Sequence, residues 1–157
     1  MSFTDKLTHL YTTQGFVRAS EHMLAVLNAP VSCAMLLAIE VGNLKVIERA
    51  LGREPVNLML TRTADILRRV FRGAVIGRLG VDRFAVLTAA NPSKCTELIA
   101  ALNEDIDAAN LADPNIHLSL AGKYCLFDPQ RSYFIESWIR STYRLIKIKS
   151  SALEQDL

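Results

Sequence analysis

The chain has 157 residues, half of them hydrophobic, and a formal net charge of +2. That length suits a single domain with a buried core, and the near-balanced charge excludes both a disordered segment and a general binding surface for nucleic acid polymers. Cys33, Cys95 and Cys125 lie far apart without a CxxC pair, and His9, His22 and His117 are scattered, so neither a disulfide framework nor a zinc site is indicated. The first residues lack the apolar core of a signal peptide, and the longest apolar run, residues 34–41, is too short to span a bilayer. A cytoplasmic chain with reduced thiols and no direct membrane insertion is expected.

Thr12 and Thr13 offer helix-capping chemistry, and Phe16, Ala19, Met23, Leu24 and Leu27 follow at one-faced helical spacing up to Pro30. Residues 32–41 are apolar without a break until Glu40, the pattern of a central strand covered on both faces. Gly42 and Asn43 interrupt it, a short helix follows over 44–51, and Gly52 closes that helix. Pro55 is read as opening a longer helix to about residue 71, with Val56, Met59, Leu60, Thr63, Leu67 and Val70 on one side.

Residues 74–89 read as a β-hairpin, two apolar runs around a tight turn with Asp82 at its tip. Asn91-Pro92-Ser93 starts a helix to about residue 110, residues 116–127 alternate enough for a strand, and Asp128-Pro129 turns into a last helix over about 131–149. The order is thus helix, then βααββαβ, then helix. It predicts an α+β fold, a split-βαβ sheet containing antiparallel strands and flanked by helices, with residues 1–157 as one domain. In such a sheet Glu40, at the end of the first strand, sits beside Asp82 of the hairpin. Two carboxylates at one sheet edge next to a Gly-bounded turn are a candidate Mg²⁺ site against a nucleoside triphosphate.

Several motifs in this order resemble those of the GGDEF domains of bacterial diguanylate cyclases, which condense two GTP molecules into cyclic di-GMP. Arg78-Leu79-Gly80-Val81-Asp82-Arg83-Phe84 resembles the RxGGDEF signature, and the segment from Asp5 to Tyr11 resembles the DxLTxLxN opening. Residues 36–47, Leu-Leu-Ala-Ile-Glu-Val-Gly-Asn-Leu-Lys-Val-Ile, resemble the LLxxDIDxFKxIND segment, Gly52 falls on a family glycine, and Ser119 falls in the TxSxG strand. The resemblance covers about residues 3–146 and implies the nucleotidyl cyclase, palm-like version of the split-βαβ fold.

By this resemblance the metal candidates are Glu40, the backbone of Val41, and Asp82, with Mg²⁺ as the cofactor. The nucleotide-binding candidates are Lys45 for phosphate, Glu48 and Asn57 at the guanine-recognising positions, and Gly80 in the signature turn. Two signature letters differ. Val81 replaces the second glycine, where a β-branched side chain would resist positive φ and crowd the loop. Arg83 replaces the second acidic residue, so no catalytic residue is assigned; near a metal its cation would repel, and turned outward it would clasp a phosphate.

The product-binding RxxD motif would fall on Phe71 and Ala74, and the AKxxGR end of the last helix is not reproduced, although Arg144, Lys147 and Lys149 put charge there. Asp5 and Arg78 are both present and are expected to pair. Trp138 and Tyr143 are read as packing, and the basic and aromatic run 140–149 as packing or a contact with a partner domain. Three functions stand open: a degenerate, non-catalytic regulatory or interaction module with GTP as its candidate ligand, a weakly active diguanylate cyclase, or a structural homodimerisation module. A flanking sensory or EAL-type phosphodiesterase domain is the partner that the first implies.

Overall fold

The computed structural model describes residues 2–27, 33–126, 135–146 and 153–155. Helix α1 (Thr13–Leu27) precedes strand β1 (Ala34–Val41), helices α2 (Leu44–Leu51) and α3 (Arg53–Val70), the hairpin β2 (Val75–Arg78) and β3 (Arg83–Ala89), helix α4 (Pro92–Ala112), β4 (Leu120–Leu126), α5 (Ile135–Ile146) and a short β5 (Leu153–Gln155). The strand order is β2-β3-β1-β4-β5. The first four strands pair antiparallel, while β5 runs parallel to β4. This is the predicted α+β sheet flanked by helices, with one strand more than the sequence suggested.

Strand β1 shows why its apolar run is unbroken. Met35, Leu37 and Ile39 join Phe84 and Val86 in a cluster with Met59, Leu60 and Leu67 of α3 and Leu102 and Ile106 of α4. Leu36 and Ala38 face the other way, into a cluster with Phe16 of α1 and Trp138, Ile139 and Tyr143 of α5. The side-chain period of two sends alternate residues to opposite faces, and each face has its own helical cover. Every residue from Ala34 to Ile39 is buried.

Local signals set most boundaries. The Thr12 hydroxyl accepts from the Gly15 N–H at 3.4 Å, and Asn91 accepts from the Lys94 N–H at 2.8 Å with Pro92 as the first helical residue. Three readings need correction. Helix α3 starts at Arg53, two residues before Pro55; proline is tolerated in the first turn because N–H groups there have no helical acceptor. Strand β4 starts at Leu120 rather than residue 116, because the Asn110 side chain takes both backbone groups of Leu118, at 2.7 and 2.9 Å, in place of a ladder partner. The parallel strand β5 was not foreseen. The expected ends of the last helix, residues 131–134 and 147–149, lie outside the described residues, as do Asn28, Ala29, Pro30 and the Asp128-Pro129 turn.

The expected Asp5–Arg78 pair is present at 3.2 Å, mostly shielded from solvent. Asp5 also accepts the Thr8 N–H at 2.9 Å and the Thr8 hydroxyl at 2.7 Å. Burial pushes its carboxyl upward, but the Thr8 hydrogen bonds and the Arg78 charge outweigh that and hold it below the ordinary carboxylate value. A second Arg78 nitrogen donates to the Val81 carbonyl at 3.0 Å, so one guanidinium ties the N-terminal turn to the hairpin loop.

Replacing Arg78 with Met is expected to cost about 2 kcal/mol in denaturant melts, between the values for exposed and fully buried pairs. Because the folded Asp5 pKa is depressed, its contribution is complete above the unfolded value near 3.9 and is lost as pH falls through the lower folded value. The stability gap between the wild type and Asp5→Asn should therefore hold steady above about pH 5 and shrink below about pH 4. A gap that widened on acidification would contradict this account.

Glycine positions in the hairpin give a second test. A Cβ at Gly77 would meet Phe16 at 2.9 Å, whereas one at Gly80 would meet only the flexible Arg83 side chain at 3.6 Å. Gly77→Ala should cost about 1–3 kcal/mol by overpacking, and Gly80→Ala should be neutral or stabilise by up to about 1 kcal/mol.

Candidate functional site

The sheet register builds the site. Strand β1 ends where β3 begins, so Glu40 stands opposite Arg83, and the Val41 N–H donates to the Asp82 carbonyl at 2.8 Å. The Gly42 N–H donates to the Ser119 carbonyl at 2.7 Å, and Asn43, at a φ of 65°, turns the chain into α2. Asn and Asp tolerate this left-handed conformation better than other non-glycine residues. Glu40, Val41, Asn43, Lys45, Asp82 and Ser119 thereby line one cleft of about 660 Å³.

Four of the sequence-derived candidates, Glu40, Val41, Lys45 and Asp82, share this cleft; the other three do not line it. Glu48 is exposed on α2 and pairs with Arg53 at 3.7 Å. Asn57 is half-buried on α3, and Gly80 borders a separate recess with Asp5, Arg78 and Val81. Phe71, at one of the RxxD positions, is a core residue capping α3.

The signature turn departs from its expected strain. Neither Gly80 nor Val81 takes a left-handed backbone, and the Val81 side chain is 65% exposed. The loop is closed by the Leu79 N–H donating to the Arg83 carbonyl at 2.8 Å, so Val81 fits without positive φ and without crowding. The expected steric penalty at Val81 is therefore absent from this turn.

Of the two courses that its sequence position suggested, Arg83 takes the first and stands at the metal corner rather than turning outward. Its Nε lies 3.2 Å from a Glu40 carboxylate oxygen, and its guanidinium carbon lies 5.0 Å from the Tyr143 ring centroid. Tyr143 is buried, and its hydroxyl donates to the Phe84 carbonyl. Burial, the largest influence, pushes its phenol far above the ordinary range, so it stays a neutral donor. Tyr143 thus serves as a platform for Arg83, a role that the sequence disguised as packing. The available signal was chemical: a buried tyrosine hydroxyl needs an acceptor, and a ring face near a hairpin arginine offers it a seat.

This arrangement suits Mg²⁺ poorly. Among the described residues, no three His, Cys, Asp or Glu side chains group to hold a metal ion. Glu40 already has a cation, leaving Asp82, among the described residues, as the cleft's one carboxylate without an ion pair. A dication about 4 Å from the guanidinium would meet about 8 kcal/mol of repulsion at an effective dielectric near 20. The residues present do not fit the metal while Arg83 stays in this position.

Comparison with known proteins agrees with the architecture. Nearly the whole chain is matched by one solved domain, the GGDEF domain of FimX from Pseudomonas aeruginosa, with a TM-score of 0.77, 16% identity, and coverage of 99% of this chain and 100% of that one. The GGDEF domain of YfiN (TpbB), from the same organism, matches with a TM-score of 0.81 and 22% identity over 96% of this chain and 92% of that one. That of DgcB from Caulobacter crescentus, solved in complex with c-di-GMP, matches with a TM-score of 0.77 and 14% identity over 99% and 96%. A search of curated proteins finds no significant match. At these identities the structural likenesses establish the fold, and the family assignment comes from the sequence profile "Diguanylate cyclase, GGDEF domain", which matches residues 2–142. The chain belongs to the GGDEF family.

Proposed function

We propose that this domain is a degenerate GGDEF module of bacterial cyclic di-GMP signalling, acting by binding and regulation rather than by making the dinucleotide. The observation that carries this reading is the Glu40–Arg83 pair at 3.2 Å. An internal guanidinium neutralises the carboxylate that would ligate the metal, and the position next to Asp82 carries a base-incompetent cation instead of a carboxylate. Loss of a general base alone lowers rates by about 10² to 10⁴, and exclusion of the metal removes its charge stabilisation as well.

GTP is the proposed ligand, with Lys45 at the phosphate end of the cleft. The Glu48–Arg53 pair and the change from Asp to Asn at position 57 weaken guanine selection. A flanking sensory or EAL-type phosphodiesterase domain is the partner class that such a module would control. The weakly active cyclase is the second reading, favoured by Glu40, Lys45 and Asp82 lining one cleft.

Incubation of the pure domain with GTP and Mg²⁺, with chromatographic detection of cyclic di-GMP, separates the two. No product is expected, and clear turnover would establish the cyclase. The charge argument has its own test in the wild type and Arg83→Ala. Mg²⁺ should leave the wild-type melting temperature unchanged but raise that of Arg83→Ala by a few degrees, the shift expected for about 1 kcal/mol of binding energy in a domain of this size. A Mg²⁺ response already present in the wild type would show that Arg83 does not block the site.

A further inference from the structure

Arg83 borders a second recess as well as the metal corner. Under the hairpin, on the face covered by α1 and α5, a cavity of about 360 Å³ is lined by Arg83, Arg140, Arg144, Glu136, Tyr143 and Leu79, among others. It does not share Lys45, Asp82 or Glu40 with the cleft described above. Among the described residues, three guanidiniums line one small concavity; Arg83 is already paired with Glu40 outside it, and Glu136 is the one carboxylate on its wall, which leaves one excess cation.

The charges in this recess are poorly balanced. Arg140 and Arg144 are one turn apart on α5, where like charges repel, and neither forms an ion pair among the described residues. Both are exposed, so a ligand can reach them. Arg83 meets Glu40 through its Nε, while its terminal nitrogens make no hydrogen bond among the described residues. Its position is held by the ion pair and by the Tyr143 ring, which removes much of the entropy cost of ordering a long side chain around a ligand. Leu79 adds an apolar wall. Planar, donor-rich guanidiniums around a partly apolar recess are suited to tetrahedral phosphate oxygens.

We infer that this recess is an anion site for a phosphate-bearing small molecule, built from Arg83, Arg140 and Arg144 and needing no divalent cation. It stands apart from the reading of the cleft and survives or fails independently of cyclase activity. One ligand chemistry has two sources here: the phosphate group alone, or a nucleotide that carries it.

Calorimetric titration with pyrophosphate, and separately with GTP, in low salt and without divalent cations, tests the site. Pyrophosphate should bind the wild type, the Arg140→Ala/Arg144→Ala double variant should bind at least tenfold more weakly, and Lys94→Ala, which removes an exposed cation of α4 that lines neither cavity, should bind within about twofold of the wild type. Arg144→Gln alone, checked by circular dichroism, guards against misfolding of the double variant and should also weaken binding. GTP that binds more tightly than pyrophosphate with the same arginine dependence assigns a nucleotide; equal or weaker binding assigns the phosphate group. The inference is overturned by an absence of pyrophosphate binding to the wild type, by binding that the arginine substitutions leave unchanged, or by binding that Lys94→Ala abolishes.

Discussion

Strand β1 has no solvent-facing side, and that constraint organises the domain. Its odd-numbered residues need the α3 and α4 cover and its even-numbered residues need the α1 and α5 cover, so neither helical layer can be dispensed with. Polar chemistry is therefore excluded along the strand and permitted only where the apolar run ends. Glu40 is the first charged residue of the run, and it lies where β1, the hairpin and α2 meet. A carboxylate in that half-desolvated position requires a counter-charge. The fold itself thus creates a demand for a cation at this corner, whatever supplies it.

In this chain the cation is covalently attached. Arg83 is the ladder partner of Glu40, so the register delivers a guanidinium to the carboxylate with no further rearrangement. Tyr143 supports that guanidinium from beneath and is itself fixed by its bond to the Phe84 carbonyl, the residue next to Arg83. The result is a closed chain of contacts across β1, β3 and α5. Opening it to admit a metal would break an ion pair, displace a cation–π contact and leave like charges adjacent, three costs of the same sign.

Much of this architecture was legible in the sequence, because its signals were local or periodic. The unbroken apolar run announced a doubly covered strand, Thr12 and Asn91 marked helix starts, and the two apolar segments around residues 79–82 marked the hairpin. Topology alone also brought Glu40 beside Asp82. What stayed hidden depended on side-chain direction or on rival partners for backbone groups. Four rotatable bonds let Arg83 point outward, toward a metal or across to Tyr143, and only the packing of α5 decides among them. The late start of β4 rests on Asn110, a helix residue whose amide reaches Leu118. Nothing in the alternation of residues 116–127 carries that information. Strand β5 is three residues long and pairs at an edge, too short for any periodic signal.

The hairpin turn shows how shape and chemistry can separate in one segment. A double glycine would suggest that the loop needs left-handed backbone, yet neither Gly80 nor Val81 uses it. The loop is instead held from behind: Arg78 donates to the Val81 carbonyl while paired with Asp5, and the Leu79 N–H closes onto Arg83. These supports act through backbone carbonyls and through a charge outside the turn, so they are indifferent to the side chains at positions 81 and 83. A turn supported in this way can accept a β-branched residue and a reversed charge without losing its position in the sheet. The same two residues set what the turn presents to the cleft on one side and to the arginine-lined recess on the other.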